Sequence, residues 1–309
     1  MMRKIFHITP AGWIRMLLLA CMMSVGMGTA QADTSADTNG AASLRAKYAE
    51  LKPQLVNNQF KQPLYLDSAE SPNHLRGDIY ALVDYPFATV NEALDGPAHW
   101  CDVLILHLNT KYCHASANTA PTMLAVSIGK KSFEEVDQAS RVEFAYSIAS
   151  ATPEYFDVLL KGEKGPMGTS DYRIELEAVA LPGDKTFLHL TYSYAYNFAG
   201  RIAMQAYLAT AGSGKVGFTT TGAQSGRGPD YIGGVRGVVE RNTMRYYLAI
   251  DSYLGALSSP AAEQLEKRLQ SWFSATELYS RQLHEVDRAT YLDMKRREYL
   301  RQQKPLAPQ

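Results

Sequence analysis

The feature that most constrains this chain is a change of period. Val142, Phe144, Tyr146 and Ile148 alternate with Arg141, Glu143, Ala145 and Ser147. Tyr172, Ile174, Leu176 and Ala178 alternate with Arg173, Glu175 and Glu177, and Leu188, Leu190, Tyr192, Tyr194 and Tyr196 alternate with His189, Thr191 and Ser193. A period of two is that of a strand with one buried and one wet face. Shorter apolar runs at 123–128 and 155–160 add strands, while 162–168 and Pro182-Gly183-Asp184 supply turns. Successive strands joined by short turns predict an antiparallel meander.

On either side of this block the period is helical. Leu44, Tyr48, Leu51 and Leu55 predict a helix over 42–60, weakened by Pro53. A short strand over 79–83 runs into Tyr85-Pro86-Phe87, and Phe87, Val90 and Leu94 share the face of a following helix. Segment 98–108 reads as a second short helix or a turn-rich stretch, and 198–210 fits helix or strand equally. A strand over 216–221 and a flexible loop over 222–228 precede the longest helix. There Val235, Val238, Val239, Asn242, Tyr246, Ile250, Tyr253 and Leu257 form one stripe, with Arg236, Glu240, Arg241 and Arg245 off it. A last helix, 261–300, carries Leu265, Leu269, Trp272, Thr276, Tyr279, Leu283 and Val286. Its basic end (Lys295, Arg296, Arg297, Arg301, Lys304) reads as a solvated terminus or as a peripheral contact with an anionic membrane.

Composition narrows the partners. The 309 residues hold 31 Lys plus Arg against 31 Asp plus Glu, so no global field recruits nucleic acid. Arg3, Lys4 and Arg15 precede an apolar run from 16 to 30 that ends in Ala30-Gln31-Ala32, the pattern of a secretory signal peptide over 1–32. Leu18-Leu19-Ala20-Cys21 offers a lipobox as the alternative. Small polar residues over 33–41 read as a disordered leader, 42–257 as the main domain and 258–309 as a helical extension. Beyond residue 32 the cysteines are Cys101 and Cys113, which in a periplasmic or secreted chain read as one disulfide, or else as two buried thiols. His107 and His114 do not complete a zinc spacing with them.

The order helix, strand, two short helices, meander, long helix resembles the START-like superfamily, which includes lipid-transfer and polyketide-cyclase-like proteins. Asp84-Tyr85-Pro86-Phe87 with Val90, Leu94, Asp95 and Trp100, and Gly233-Gly234-Val235 entering the long helix, carry the local resemblance. It covers about residues 70–257. It implies an α+β helix-grip fold, a curved antiparallel sheet wrapped around a long C-terminal helix and enclosing an apolar cavity, here with an additional C-terminal helix. The helix beyond Pro260 and segment 198–210 have no counterpart in it.

Motifs for chemistry are mostly missing. Ala211-Gly212-Ser213-Gly214-Lys215 fails as a P-loop, because Ala209 and Val216 stand where Gly and Ser or Thr are needed. Ser225 lacks the first glycine of a nucleophile elbow. His107 or His114 with Asp102 could form an acid–base set, but nothing places a nucleophile beside them. No cofactor or metal is expected. The remaining signal is aromatic: Tyr192, Tyr194 and Tyr196 share one sheet face, joined by Tyr146 and Tyr172 on neighbouring strands. Their hydroxyls need partners that a solid aliphatic core would not require, which a ligand or water in a cavity supplies. Asn242, in mid-stripe, is a further polar group facing indoors. The sequence therefore predicts an exported protein that binds a hydrophobic or amphipathic small molecule, lipids included, through Tyr146, Tyr192, Tyr194, Asn242 and Tyr246. An enzyme on the same scaffold and an envelope protein docking through its last helix are the alternatives.

Overall fold

The computed structural model describes residues 33–116, 120–225 and 228–304, so both readings of segment 1–32 lie outside the described residues. The chain opens with α1 (Asp33–Val56) and the hairpin β1 (Leu64–Ser71) and β2 (His74–Val83). Two short helices follow, α2 (Phe87–Leu94) and α3 (Pro97–Leu104). The meander runs through β3 (Thr110–Ala115), β4 (Thr122–Ile128), β5 (Ser140–Ala151), β6 (Tyr155–Lys164), β7 (Thr169–Leu181) and β8 (Lys185–Tyr196). Then come α4 (Phe198–Ala209), the small hairpin β9 (Thr220–Ser225) and β10 (Gly228–Tyr231), and α5 (Gly234–Leu254). Three helices end the chain: α6 (Ala261–Glu277), α7 (Ser280–Leu283) and α8 (Arg288–Gln302).

The main sheet has the order β1-β2-β8-β7-β6-β5-β4-β3, each neighbour antiparallel. The first hairpin is thus added beside the last strand of the meander, with Gly77 opposite Tyr192. α5 seats on β1, β2 and β8. It comes close because Gly77 has no side chain: a Cβ there would strike Thr243 Oγ1 of α5. This is the α+β helix-grip arrangement. The concave face and α5 share the main core, with Leu75, Ile79, Leu190, Ile174, Leu248 and Ile250 almost wholly excluded from solvent. α1 covers the opposite face, where Leu44, Leu51 and Leu55 pack on Tyr155, Val179 and Phe187.

Several elements differ from the sequence reading. Residues 33–41 continue α1 toward its start instead of forming a loose leader, and Ala41 is buried. β1 escaped notice because its second half, 68–71, is polar and breaks the alternation. The ambiguous segment 198–210 is helix α4, begun by Asn197, whose side chain accepts from the Gly200 amide. The last helix is not continuous over 261–300: the chain turns between Glu277 and Arg288 before Asp287 caps α8 by accepting from the Thr290 amide at 3.0 Å. The stripe on it is nevertheless an inward one, since Leu269, Trp272, Thr276 and Leu283 are all buried.

The supposed basic end is dispersed. Lys295 is fully buried, Arg296 pairs with Glu266 at 2.6 Å, and Arg297 stacks on Phe133 at 3.7 Å. Arg301 donates to Lys111 O at 2.9 Å. Cys101 and Cys113 form the disulfide, tying α3 to β3 with Cα atoms 5.2 Å apart.

Candidate ligand-binding cleft

Alternation along β8 delivers Tyr192, Tyr194 and Tyr196 to the concave face, each buried. Tyr172 of β7 stacks on Tyr194 with ring centroids 5.4 Å apart. Tyr192 meets Tyr194 at 5.6 Å and reaches across to Tyr246 of α5 at 5.0 Å. Offset and tilted ring pairs of this kind add to the area they bury. The Tyr194 hydroxyl points to Met204 Sδ of α4 at 3.9 Å, and the Tyr172 hydroxyl donates to Thr169 Oγ1 at 2.8 Å. Among the described residues the hydroxyls of Tyr192 and Tyr246 make no hydrogen bond. Burial holds both phenols far above their ordinary range.

Of the five residues singled out from the sequence, Tyr192, Tyr194 and Tyr246 come together. Asn242 lies one turn before Tyr246 on the same helix, half-buried, its Oδ1 accepting from Arg245 Nη1 at 3.3 Å. Tyr146 stands apart from the group. It shares the concave face, but its hydroxyl donates to Asp95 O, beyond the end of α2, at 2.5 Å.

Beside the tyrosines lies a cleft of about 290 Å³, partly open to solvent, between α4, α5 and the turn Pro166–Gly168. Its walls include Tyr172, Met204, Tyr207, Val238, Asn242 and Arg245. A second cleft of about 710 Å³ lies against Tyr196, Arg201, Leu208, Ile232 and Val235, and Met204 borders both. The stripe residues Val235, Val238 and Asn242 therefore face these clefts, while most of the remaining α5 surface is packed.

α4 covers the mouth. Arg201 fastens its first turn to Pro72 O at 2.7 Å and Asn73 Oδ1 at 3.1 Å. At its other end the Tyr207 hydroxyl accepts from Lys131 Nζ at 3.3 Å. Its outer side stays apolar and wet: Phe198 is 77% exposed, Ile202 50%, and Met167 on the adjoining turn 75%. Met167 has φ +54°, a left-handed conformation uncommon for a non-glycine residue, and so projects from the rim of the cleft under some backbone strain.

Sequence reading missed the charges of the site. Glu240, Arg241 and Arg245, which lie off the apolar stripe of the long helix, are all buried because α6, α7 and the loop before β9 cover them. Glu240 accepts from Ser68 Oγ at 2.6 Å, from the Phe218 and Thr219 amides at 2.5 and 2.9 Å, and from Thr219 Oγ1 at 2.6 Å. The acid–base set does not assemble. Asp102 is held by Arg268 at 2.8 Å, and His107 is buried against the Tyr246 ring at 4.9 Å. Burial, then the cations Arg245, Lys295, Lys131 and Lys111, push His107 well below its ordinary value. His189 faces away from Tyr192, as its parity requires, and bridges Glu177 and Asp78 at 2.8 Å each on the α1 side of the sheet. Among the described residues no cluster of His, Cys, Asp and Glu fits a metal ion.

No family model matches the chain, and no curated protein matches it. Solved structures do. The chain is similar to norcoclaurine synthase from Thalictrum flavum at 11% identity and a TM-score of 0.31, over 48% of this chain and 79% of that one. It is similar to human StAR-related lipid transfer protein 5 at 10% identity and 0.31, over 56% and 90%. It is also similar to the Zhui aromatase/cyclase from Streptomyces sp. R1128 at 10% identity and 0.33, over 72% and 100%.

Proposed function

We propose that this is an exported protein that binds a hydrophobic or amphipathic small molecule, of the lipid class, in the cleft beneath α4. One observation carries the reading: a space of about 290 Å³ whose walls combine Tyr172, Met204 and Val238 with a few polar groups, beside buried tyrosines and under a helix that is itself barely packed. Its size is at the lower end of small-molecule sites, and mixed apolar and polar walls are their usual chemistry. Thr169 and Asn242 on its wall have polar atoms to orient a ligand, whereas Tyr192 and Tyr246, whose phenols make no hydrogen bond among the described residues, are not among the residues that line it. The pattern of residues 1–32 and the Cys101–Cys113 disulfide support the export half of the reading.

Native mass spectrometry of the protein isolated from its own cells tests both halves. A mass lacking residues 1–32 and carrying a bound small molecule is expected. Ala203→Trp, which fills the cleft from α4, should abolish the bound mass while leaving the fold intact by circular dichroism. An empty wild-type protein, or a ligand retained equally by the variant, rejects the cleft as the site.

A further inference from the structure

The walls of the cleft do not neutralise their own charge. Lys131, Arg241 and Arg245 all line it. Among the described residues, Glu285 is the carboxylate that pairs with Lys131 and Arg245, and it also approaches Lys215. It lies 2.6 Å from Lys131, 2.8 Å from Arg245 and 3.8 Å from Lys215. Arg241 is 1% exposed and forms no ion pair among the described residues; its Nη1 donates to Val216 O at 3.2 Å. The adjacent Glu240 does not serve it, being taken by the four donors from Ser68, Phe218 and Thr219. Burying a guanidinium without a counterion is costly to the folded state.

Neighbouring groups register the same field. Burial opposes ionisation of the Tyr207 phenol, yet Lys131 and Arg241 together pull it below its ordinary value. Asn242 spends its Oδ1 on Arg245, and its Nδ2 makes no hydrogen bond among the described residues. A guanidinium, an ammonium and an amide thus line a cleft whose apolar walls include Met204, Val238 and the Tyr172 ring. The planar guanidinium of an arginine matches the geometry of a carboxylate or phosphate, and an ammonium and an amide add donors to it.

We propose that the cleft takes an anionic amphiphile, its carboxylate or phosphate head seated among Arg241, Lys131 and Asn242 and its apolar tail along Met204, Val238 and Tyr172. This rests on the reading of the cleft as a ligand site and adds the sign of the ligand's charge. The head supplies the counterion that Arg241 lacks, and the tail supplies apolar area.

Calorimetric titration with a series sharing one tail separates the two claims: decanoate, decyl phosphate, 1-decanol and decyltrimethylammonium, with inorganic phosphate as a headgroup alone. Decanoate or decyl phosphate should bind at least tenfold more tightly than decanol, decyltrimethylammonium least, and inorganic phosphate not measurably at millimolar concentration. The preferred anion tells carboxylate from phosphate. Arg241→Met should erase the tenfold preference without weakening decanol. Lys131→Met, at the more exposed end of the site, should reduce the preference severalfold, and it decides the matter if the Arg241 variant does not fold. Equal affinity for all four heads, or a preference unchanged in both variants, overturns the anionic assignment and leaves an apolar site. Inorganic phosphate binding as tightly as decyl phosphate overturns the amphiphile. Failure of every decyl compound to bind removes the ligand site itself.

Discussion

Asp157 stands in surroundings ill suited to its charge. It stands on the α1 side of the sheet in register with Glu177, its Oδ1 buried without a partner among the described residues. Burial first, then Glu175 and Glu177, push its carboxyl up to about 7, against the pull of Arg173 and His189. The folded chain therefore holds a proton that the unfolded chain releases near pH 4. The associated stability is fully present below about pH 4 and is lost as pH rises toward 7. Asp157→Asn, which mimics the protonated state, should be nearly neutral at pH 4 and gain about 1–2 kcal/mol over the wild type at pH 8, after discounting for solvent screening. Urea unfolding at the two pH values measures this, and a pH-independent difference would contradict it. Parity in the sequence was enough to put His189 on the face opposite Tyr192. The Asp78–His189–Glu177 bridge was not legible there, because it needs β2 beside β8, a pairing of distant segments that no local period encodes.

Elements were legible where one face is wet and blurred where none is. The strands of the meander announced themselves because their outer faces carry Glu, Arg and Thr. The α5 stripe was legible too, but its meaning was inverted in part: Val235, Val238 and Asn242 face the clefts, and the charged positions 240, 241 and 245 are indoors. A helix packed on nearly every side leaves no solvent face to set the pattern.

α8 shows the same limit. Its Lys295 and Glu298 are fully buried with Lys111 of β3, Glu298 lying 2.7 Å from Lys295 and 3.0 Å from Lys111. Lys111 also donates to Leu108 O and Ser132 O at 2.9 Å each, and Lys295 to Thr110 O at 2.7 Å. Burial, the largest influence, presses Lys295 down to about 8 despite Glu298. Two ammoniums thus share one carboxylate. Glu298→Gln leaves both without it and should cost about 3–5 kcal/mol in urea unfolding at pH 7. Lys295→Met leaves the Lys111–Glu298 pair one to one and should cost under about 1.5 kcal/mol. Equal losses would mean that packing, and not charge pairing, fixes α8 on the sheet edge.

At the scale of the whole molecule the question is whether 258–309 is an appendage that docks elsewhere or part of the body. Its side chains answer through the core they occupy. Trp272 is 1% exposed, donates from Nε1 to Arg245 O of α5 at 3.1 Å, and stacks on Tyr291 at 4.9 Å. The Tyr291 hydroxyl donates to Leu106 O at 3.0 Å, near the end of α3, and Leu269 and Leu283 belong to the same core as the sheet. Removing a buried large aromatic costs about 3–5 kcal/mol. Trp272 and Tyr291 together therefore approach the whole stability of an ordinary domain, about 5–15 kcal/mol. Loss of 260–309 also strips Arg245 and Lys131 of Glu285, and Lys111 of Glu298. A chain ending at residue 259 should then lack a fixed near-ultraviolet circular dichroism signal and yield to protease within the meander. A truncated protein that keeps both its near-ultraviolet signal and its protease resistance would instead make the last three helices a detachable module, and would return the docking role to them.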